Sequence, residues 1–219
     1  MTTKTWNPPT NRPWKPRGER FEPRLTFAPL AWLKFQFLCH VGPTEVAAFG
    51  LSSEFDPLYL EDVLVLKQRA TVATVGFDDT AVADLFDRMA DAQIPPARFA
   101  RVWLHTHPGA SVEPSGTDEE TFARVFGDCD WSVMAILGRT GRCSARLSFR
   151  AGPGGSLSLT PTVDWSDWPR QIEEFELARR TWAAECELIE DDPFVELLPV
   201  RHPGESFFTP GDEHGYSNR

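Results

Sequence analysis

The chain has 219 residues, a formal net charge of −10 and a pI of about 5.0. Hydrophobic residues make up 41% of it, including eight Trp and sixteen Phe, which favours a folded protein with one sizeable core and excludes a mostly disordered chain. The acidic charge argues against nucleic acid as the main partner, because phosphate binding requires a basic surface.

Composition divides the chain into three predicted parts. Residues 1–24 contain five prolines and six basic residues against two acidic ones, which predicts an extended arm outside the core. This arm lacks the apolar segment of a secretory signal, and whether it is solvated or docks through Trp6 and Trp14 stays open. Residues 25–189 are predicted to fold as one domain with a C-terminal helix. Residues 190–219, with seven acidic residues against two basic ones, are predicted to form an acidic tail.

Hydrophobic periodicity predicts both strands and amphipathic helices within the folded domain. The predicted strands are residues 46–51, one or two strands within 59–77, then 99–107, and a hairpin of 131–137 with 143–149. The predicted helices are residues 79–93, 117–126 and 166–189. Thr117 and Glu120 fit a capping box at the start of the second of these helices. No apolar run of about 18 residues is present, so we expect no membrane span.

The cysteine pattern indicates the cellular compartment. The chain contains four cysteines, Cys39, Cys129, Cys143 and Cys186. They are scattered and form no Cys-x-x-Cys pair, so they indicate neither a disulfide framework nor a metal site. Reduced thiols of this kind are typical of a cytoplasmic protein, and we expect that location.

The most informative segment follows the pattern H-x-H-x7-S-x2-D. His105 and His107 lie two residues apart on a predicted strand and therefore point to the same face. Trp103 and Thr106 are expected on the opposite face, with Trp103 in the core. A Pro-Gly break follows the strand, and Asp118 stands at the start of the next helix, where its carboxylate could add a third ligand. Two nitrogen ligands and one oxygen ligand with an open position are typical of catalytic zinc, which lowers the pKa of a bound water.

Two further residues fit a hydrolytic role beside such a metal. A metal-activated water needs a carboxylate that accepts its proton and passes it to the leaving group. Glu45 stands just before an apolar run, so we expect its carboxylate at a strand edge beside the core. Ser115 precedes Asp118 by three residues, and its hydroxyl could donate to the oxyanion that forms when water attacks a carbonyl.

Other hydrolases that contain a His-x-His pair fit the chain less well. Amidohydrolase barrels need about 250 residues and further ligands, whereas this chain has only five His. Metallo-β-lactamases need an Asp and another His soon after the pair, where this chain has Pro-Gly-Ala. Nucleobase deaminases need His-x-Glu and Pro-Cys-x-x-Cys, and both are absent from the sequence.

The full pattern resembles the motif of the JAMM metalloprotease family, also called MPN+. That motif is an upstream Glu followed by H-x-H-x7-S-x2-D, and the resemblance covers roughly residues 28–150. Its five positions are filled here by Glu45, His105, His107, Ser115 and Asp118. The resemblance implies that the two His and the Asp bind Zn²⁺, that the Glu is the general acid/base, and that the Ser supports the tetrahedral intermediate.

The resemblance also implies a fold, an activity and a partner. The expected fold is α/β, with a mixed β-sheet flanked by helices, as in the cytidine-deaminase-like JAMM/MPN fold. The expected activity is that of a zinc isopeptidase or peptidase, which cleaves amide bonds at the C-terminus of a ubiquitin-like protein during deconjugation or precursor processing. Two alternatives stay open, namely a binding subunit with a vestigial metal site and a JAMM hydrolase of a small sulfur-carrier adduct.

Overall fold

The computed structural model describes residues 22–191. Residues 1–21 of the predicted arm and residues 192–219 of the predicted acidic tail lie outside the described residues. The strands are β1 (Arg24–Phe27), β2 (Ala47–Ser52), β3 (Tyr59–Val65), β4 (Gln68–Ala70), β5 (Val75–Phe77), β6 (Val102–His107), β7 (Trp131–Gly138), β8 (Cys143–Phe149), β9 (Gly155–Val163) and β10 (Ile189–Asp191). The α-helices are α1 (Pro29–Leu38), α2 (Asp79–Asp91), α3 (Pro96–Phe99), α4 (Gly116–Phe126) and α5 (Trp168–Glu185).

Seven strands close into a barrel in the order β1-β3-β2-β6-β7-β8-β9. The central strands β6 and β7 run parallel, and parallel pairing of β1 with β9 closes the barrel. The expected helix-flanked sheet of the cytidine-deaminase-like JAMM/MPN fold is therefore wrong. The reason is that β1 and β9, which the sequence pattern did not predict, pair with each other and leave no open edge. Both strands alternate polar and apolar residues, but β1 has only four residues and β9 is mostly exposed, so the alternation did not indicate that the two strands pair and close the barrel.

The two faces of the barrel strands belong to two hydrophobic clusters. One cluster combines residues of all seven barrel strands with α1, and it includes Val102 and Leu104 of β6. The other lies beneath α2, α3 and α4, and it includes Trp103 of β6 together with Phe122 and Phe126 of α4. Because side chains alternate along a strand, β6 contributes to both clusters, and its odd-numbered residues face α4.

A separate three-stranded sheet in the order β10-β4-β5 lies beside the barrel. The prediction of one or two strands within residues 59–77 is wrong, because this segment contains β3 in the barrel and both β4 and β5 in the small sheet. β10 adds to β4 in parallel, so the first two residues of the predicted tail, Glu190 and Asp191, are paired in a sheet. Lys67 and Arg69 form ion pairs with Glu190 at 3.2 and 3.7 Å.

Several local predictions are confirmed. The predicted helix over 79–93 is α2, whose first turn is capped by the Asp78 carboxylate accepting from the Ala81 backbone N–H. The predicted hairpin is formed by β7 and β8 in antiparallel register. Among residues 22–191, no helix is long and apolar enough to cross a membrane.

Candidate metal centre

The two histidines of the motif lie together at the end of β6. Their rings share one face of the strand, and the Nε2 atoms of His105 and His107 are 3.3 Å apart. His105 is fully buried and lies between Ala47 of β2 and Ile136 of β7 in the sheet register. His107 is at the partly exposed end of the strand, so the pair points from the core towards the surface.

Trp103 contacts His105 and does not lie on the opposite face of β6. The expected opposite face was wrong, because Trp103 is two residues from His105 and side chains two apart share a face, whereas its expected place in the core is confirmed. Its ring stacks on His105 with the centroids 4.4 Å apart. Thr106 does face the other way, and its hydroxyl accepts from the Val46 backbone N–H at 3.0 Å. The strand period alone could have identified Trp103 as a neighbour of the site.

Asp118 is placed by a capping box at the start of α4. The Ser115 hydroxyl accepts from the Asp118 backbone N–H at 3.1 Å, and Asp118 Oδ2 accepts from the Ser115 backbone N–H at 2.7 Å. The predicted capping box of Thr117 with Glu120 is wrong, because the helix starts at Gly116 and its third residue is Asp118. The cap therefore fixes the rotamer of the carboxylate.

The three side chains form a group that could bind a metal ion. Asp118 Oδ1 is 3.4 Å from His105 Nε2, and Asp118 Oδ2 is 3.5 Å from His107 Nε2. The candidate ligand atoms of all three residues lie within 4.8 Å of one another. Both His105 and Asp118 are buried, which makes the group a compact polar cluster at the edge of an apolar core.

The electrostatics of this cluster favour a cation. Burial acts to raise the pKa of Asp118, but hydrogen bonds from His105, His107 and the Ser115 backbone outweigh it, so the pKa lies well below its usual value. Burial lowers the pKa of His105 more than Asp118 raises it. Hydrogen bonding to Asp118 raises the pKa of His107 against the effect of burial, and the charge of Glu45 adds to the rise. The lowered pKa values of Asp118 and His105 favour the ionised carboxylate and neutral imidazole that ligate metals, whereas His107 has to release its proton when a metal binds.

Glu45 lies just before β2 and directs its carboxylate at the histidines. Its Oε1 is 3.9 Å from His107 Nε2, and it is 5% exposed. Burial raises the pKa of Glu45 to about 7, although the charge of His107 lowers it and that of Asp118 raises it. Within the described part of the chain, its buried Oε2 has no hydrogen-bond partner. A carboxylate with this pKa can both accept and release a proton near neutral pH.

The loop between the second histidine and α4 orients the His107 ring. His107 Nδ1 donates to the Ser111 carbonyl at 3.1 Å, so Nε2 is the nitrogen that faces the cluster. The Arg139 backbone N–H donates to the Gly109 carbonyl at 2.9 Å, which joins this loop to the turn after β7. The described residues offer no partner for His105 Nδ1, whose ring is instead packed against Trp103.

Four of the five residues of the sequence motif thus lie together, and the fifth is hydrogen-bonded to one of them. His105, His107, Asp118 and Glu45 form the cluster, and Ser115 contacts it through Asp118. Comparison with known protein-family models and with curated proteins finds no match to this chain. The interpretation of the site therefore depends on its motif and on its geometry.

Proposed function

We propose that this chain is a zinc-dependent hydrolase that cleaves an amide bond. One observation carries the proposal: the three candidate ligands are separated by 3.3, 3.4 and 3.5 Å. Zinc bonds to nitrogen and oxygen are about 2.0–2.1 Å long, and two ligands of a tetrahedral zinc are then about 3.3–3.4 Å apart. The two histidine nitrogens have this spacing, and each Asp118 oxygen has it to one histidine, so one oxygen would have to move closer to the second histidine when zinc binds.

The donor set also fits a catalytic rather than a structural zinc. Structural zinc sites have four protein ligands, usually Cys and His, whereas catalytic sites have three and leave one position for water or substrate. His105, His107 and Asp118 supply three donors, and the described residues bring no Cys into the cluster. When bound, zinc would supply Lewis acidity to a water molecule and to the substrate carbonyl.

The chain's own residues would move the proton. Glu45 accepts a proton from the attacking water at Oε1, the oxygen nearer to His107, and delivers it to the leaving nitrogen. Its pKa of about 7 in the metal-free protein is raised mainly by burial. A cation bound beside it favours the ionised form that accepts the proton. The Ser115 hydroxyl accepts from the Asp118 backbone and keeps its own proton free to donate to the oxyanion.

A mainly apolar cavity of about 260 Å³ lies between β2, β5, α2 and α4, and its lining includes neighbours of His105 but none of the five motif residues. Its lining includes Ala47, which pairs with His105, and Trp103, which stacks on His105. Phe49, Val82 and Val125 complete an apolar wall.

The JAMM-like motif narrows the proposed substrate to an amide bond at the C-terminus of a ubiquitin-like protein. The bond would be an isopeptide bond to lysine or the bond to a C-terminal extension. This substrate class depends on the motif resemblance, whereas the metal and the proton transfer are supported by the geometry.

The experiment is a zinc determination combined with hydrolysis of ubiquitin–aminomethylcoumarin by the purified full chain. We expect about one zinc per chain and release of the fluorophore, both lost in the His107→Ala variant. Zinc binding without release of the fluorophore or cleavage of other ubiquitin-like substrates would favour a binding subunit with a vestigial site. Activity of the chain on a small sulfur-carrier adduct alone would replace the proposed substrate class and keep the hydrolase.

A further inference from the structure

Gln68, at the start of β4, uses its side-chain amide to hold the backbone of another strand. It is 1% exposed. Its Oε1 accepts from the Ala47 backbone N–H at 2.8 Å. Its Nε2 donates to the carbonyls of Ala47 and Leu66, both at 2.9 Å. Both amide protons are therefore used, and all three bonds go to main-chain atoms.

The Gln68 amide takes the place of a strand at Ala47. On one side, Ala47 pairs with His105 of β6. On the other side, the pairing of β2 with β3 ends one residue further along, at Ala48 with Val65. The N–H and C=O of Ala47 that face away from β6 are buried, and the Gln68 amide satisfies both of them. The backbone two residues after Glu45 is thereby fixed from both sides.

The turn that follows β4 holds the backbone of Glu45 itself. The Glu45 N–H donates to the Thr71 carbonyl at 2.8 Å. The Thr71 hydroxyl bonds to Thr74 within the same turn, which keeps that carbonyl in place. The small sheet thus contacts the chain at Glu45 through Thr71 and at Ala47 through Gln68.

The Glu45 carboxylate depends on this backbone for its position. Among the described residues, Oε2 has no hydrogen-bond partner. Oε1 is 3.9 Å from His107 Nε2, which is longer than a hydrogen bond. Since no side-chain bond anchors the carboxylate, its place beside the metal ligands follows from where the main chain at 45–47 lies.

We propose that Gln68 is the positioning residue for the general base. By holding the backbone of Ala47, Gln68 sets the distance between the Glu45 carboxylate and the metal centre. This proposal rests on the proposed function. It assigns Gln68 no contact with substrate or metal. Replacement of the amide leaves the buried N–H and C=O of Ala47 unpaired, so the segment shifts to recover hydrogen bonds. A displacement of about 1 Å of a catalytic group lowers the rate by up to about 10²-fold.

The test compares Gln68→Leu, which removes all three hydrogen bonds, with the control Thr26→Val. Thr26 forms a side-chain hydrogen bond with Thr162 at 3.1 Å between β1 and β9, in the part of the barrel opposite to β6 in strand order. Four quantities are measured in the zinc-loaded full chain. They are zinc content, amide hydrogen exchange, and kcat and KM for ubiquitin–aminomethylcoumarin.

For Gln68→Leu we expect unchanged zinc content and KM, a kcat lowered about 10- to 100-fold, and faster exchange at Glu45 and Ala47. Exchange in β6 should stay slow, and Thr26→Val should leave all of these quantities at wild-type values. If Gln68→Leu does not fold, Gln68→Met removes the same three hydrogen bonds with an unbranched side chain of similar length. It should show the same pattern as Gln68→Leu.

Three outcomes would overturn the proposal: a wild-type kcat in the Gln68 variants, unchanged exchange at Glu45 and Ala47, or loss of zinc together with activity. The Glu45→Gln variant, measured in parallel, distinguishes a failure of the positioning proposal from a failure of the proposed function. An active Glu45→Gln protein refutes the role of Glu45 as base. An inactive one beside a fully active Gln68→Leu refutes only the positioning role.

Discussion

At the level of single residues, the Asp118 carboxylate caps a helix and is also the proposed third metal ligand. Oδ2 caps α4 by accepting from the Ser115 backbone, and both oxygens face the histidines. The cap holds the carboxylate in one rotamer, so a metal would find this ligand already in place. The capping role and the proposed ligand role predict different effects of two small substitutions on stability and on zinc content.

Asp118→Asn should keep the helix cap and lose the metal, because the amide oxygen still accepts from the Ser115 N–H but carries no charge. Ser115→Ala should do the reverse. It removes the hydroxyl cap, lowers the free energy of unfolding by about 1 kcal/mol, and leaves zinc content near one per chain. Elemental analysis and urea unfolding of both proteins distinguish the roles. A full zinc content in Asp118→Asn would contradict the ligand assignment.

Glu45→Gln should retain zinc and lose turnover. The amide keeps the size of the side chain and cannot accept the proton, and a general base contributes about 10²–10⁴-fold to a rate. The measurement is kcat for ubiquitin–aminomethylcoumarin together with zinc content. Turnover at the wild-type rate would show that another group moves the proton.

Two cysteines near the centre should be chemically inert in the folded protein. Burial raises the pKa of Cys143 to about 12 and also raises that of Cys39. At pH 8 these groups are therefore thiols, which react poorly with iodoacetamide because the thiolate is the nucleophile. We expect labelling of both only after unfolding in urea, as followed by mass spectrometry, with activity unchanged in the folded protein. Rapid labelling of Cys143 with loss of activity would contradict the metal-based mechanism.

At the level of elements, the features that could be predicted from the sequence are those with a local hydrophobic or polar pattern. The two histidines on one strand face follow from a period of two, and α2 follows from a period of 3.6. The third ligand at the start of α4 was foreseen as a helix-start residue, although the capping box was assigned two residues too late. The three strands in 59–77 were not separable, because which sheet a strand joins depends on distant partners.

Because β1 closes the barrel, we expect that replacing a buried residue of this four-residue strand lowers the free energy of unfolding strongly. Phe27 is fully buried and stacks with Phe35 of α1, with ring centroids 6.1 Å apart. Phe27→Ala should lower the free energy of unfolding by about 3–5 kcal/mol, as for other core Phe residues. Urea unfolding measures this loss. A loss below about 1 kcal/mol would show that β1 is not part of the core in solution.

At the level of the whole molecule, the fold could not be predicted from the sequence, although the clustering of the motif residues could. The motif is local, since four of its five residues lie within residues 105–118, and Glu45 precedes a strand that pairs with β6. Barrel closure depends on β1 pairing with β9, more than a hundred residues away, and the alternation within each strand does not indicate its distant partner. Gln68 gave no signal either, because a glutamine that replaces a strand partner has no sequence pattern.

The central claim is that zinc held by His105, His107 and Asp118 hydrolyses an amide bond. The most direct measurement is the rate of ubiquitin–aminomethylcoumarin hydrolysis by the full chain before and after treatment with o-phenanthroline, and again after zinc is restored. We expect loss of hydrolysis with the chelator and recovery with about one equivalent of zinc. Hydrolysis that persists in protein shown by elemental analysis to be free of metal would contradict it.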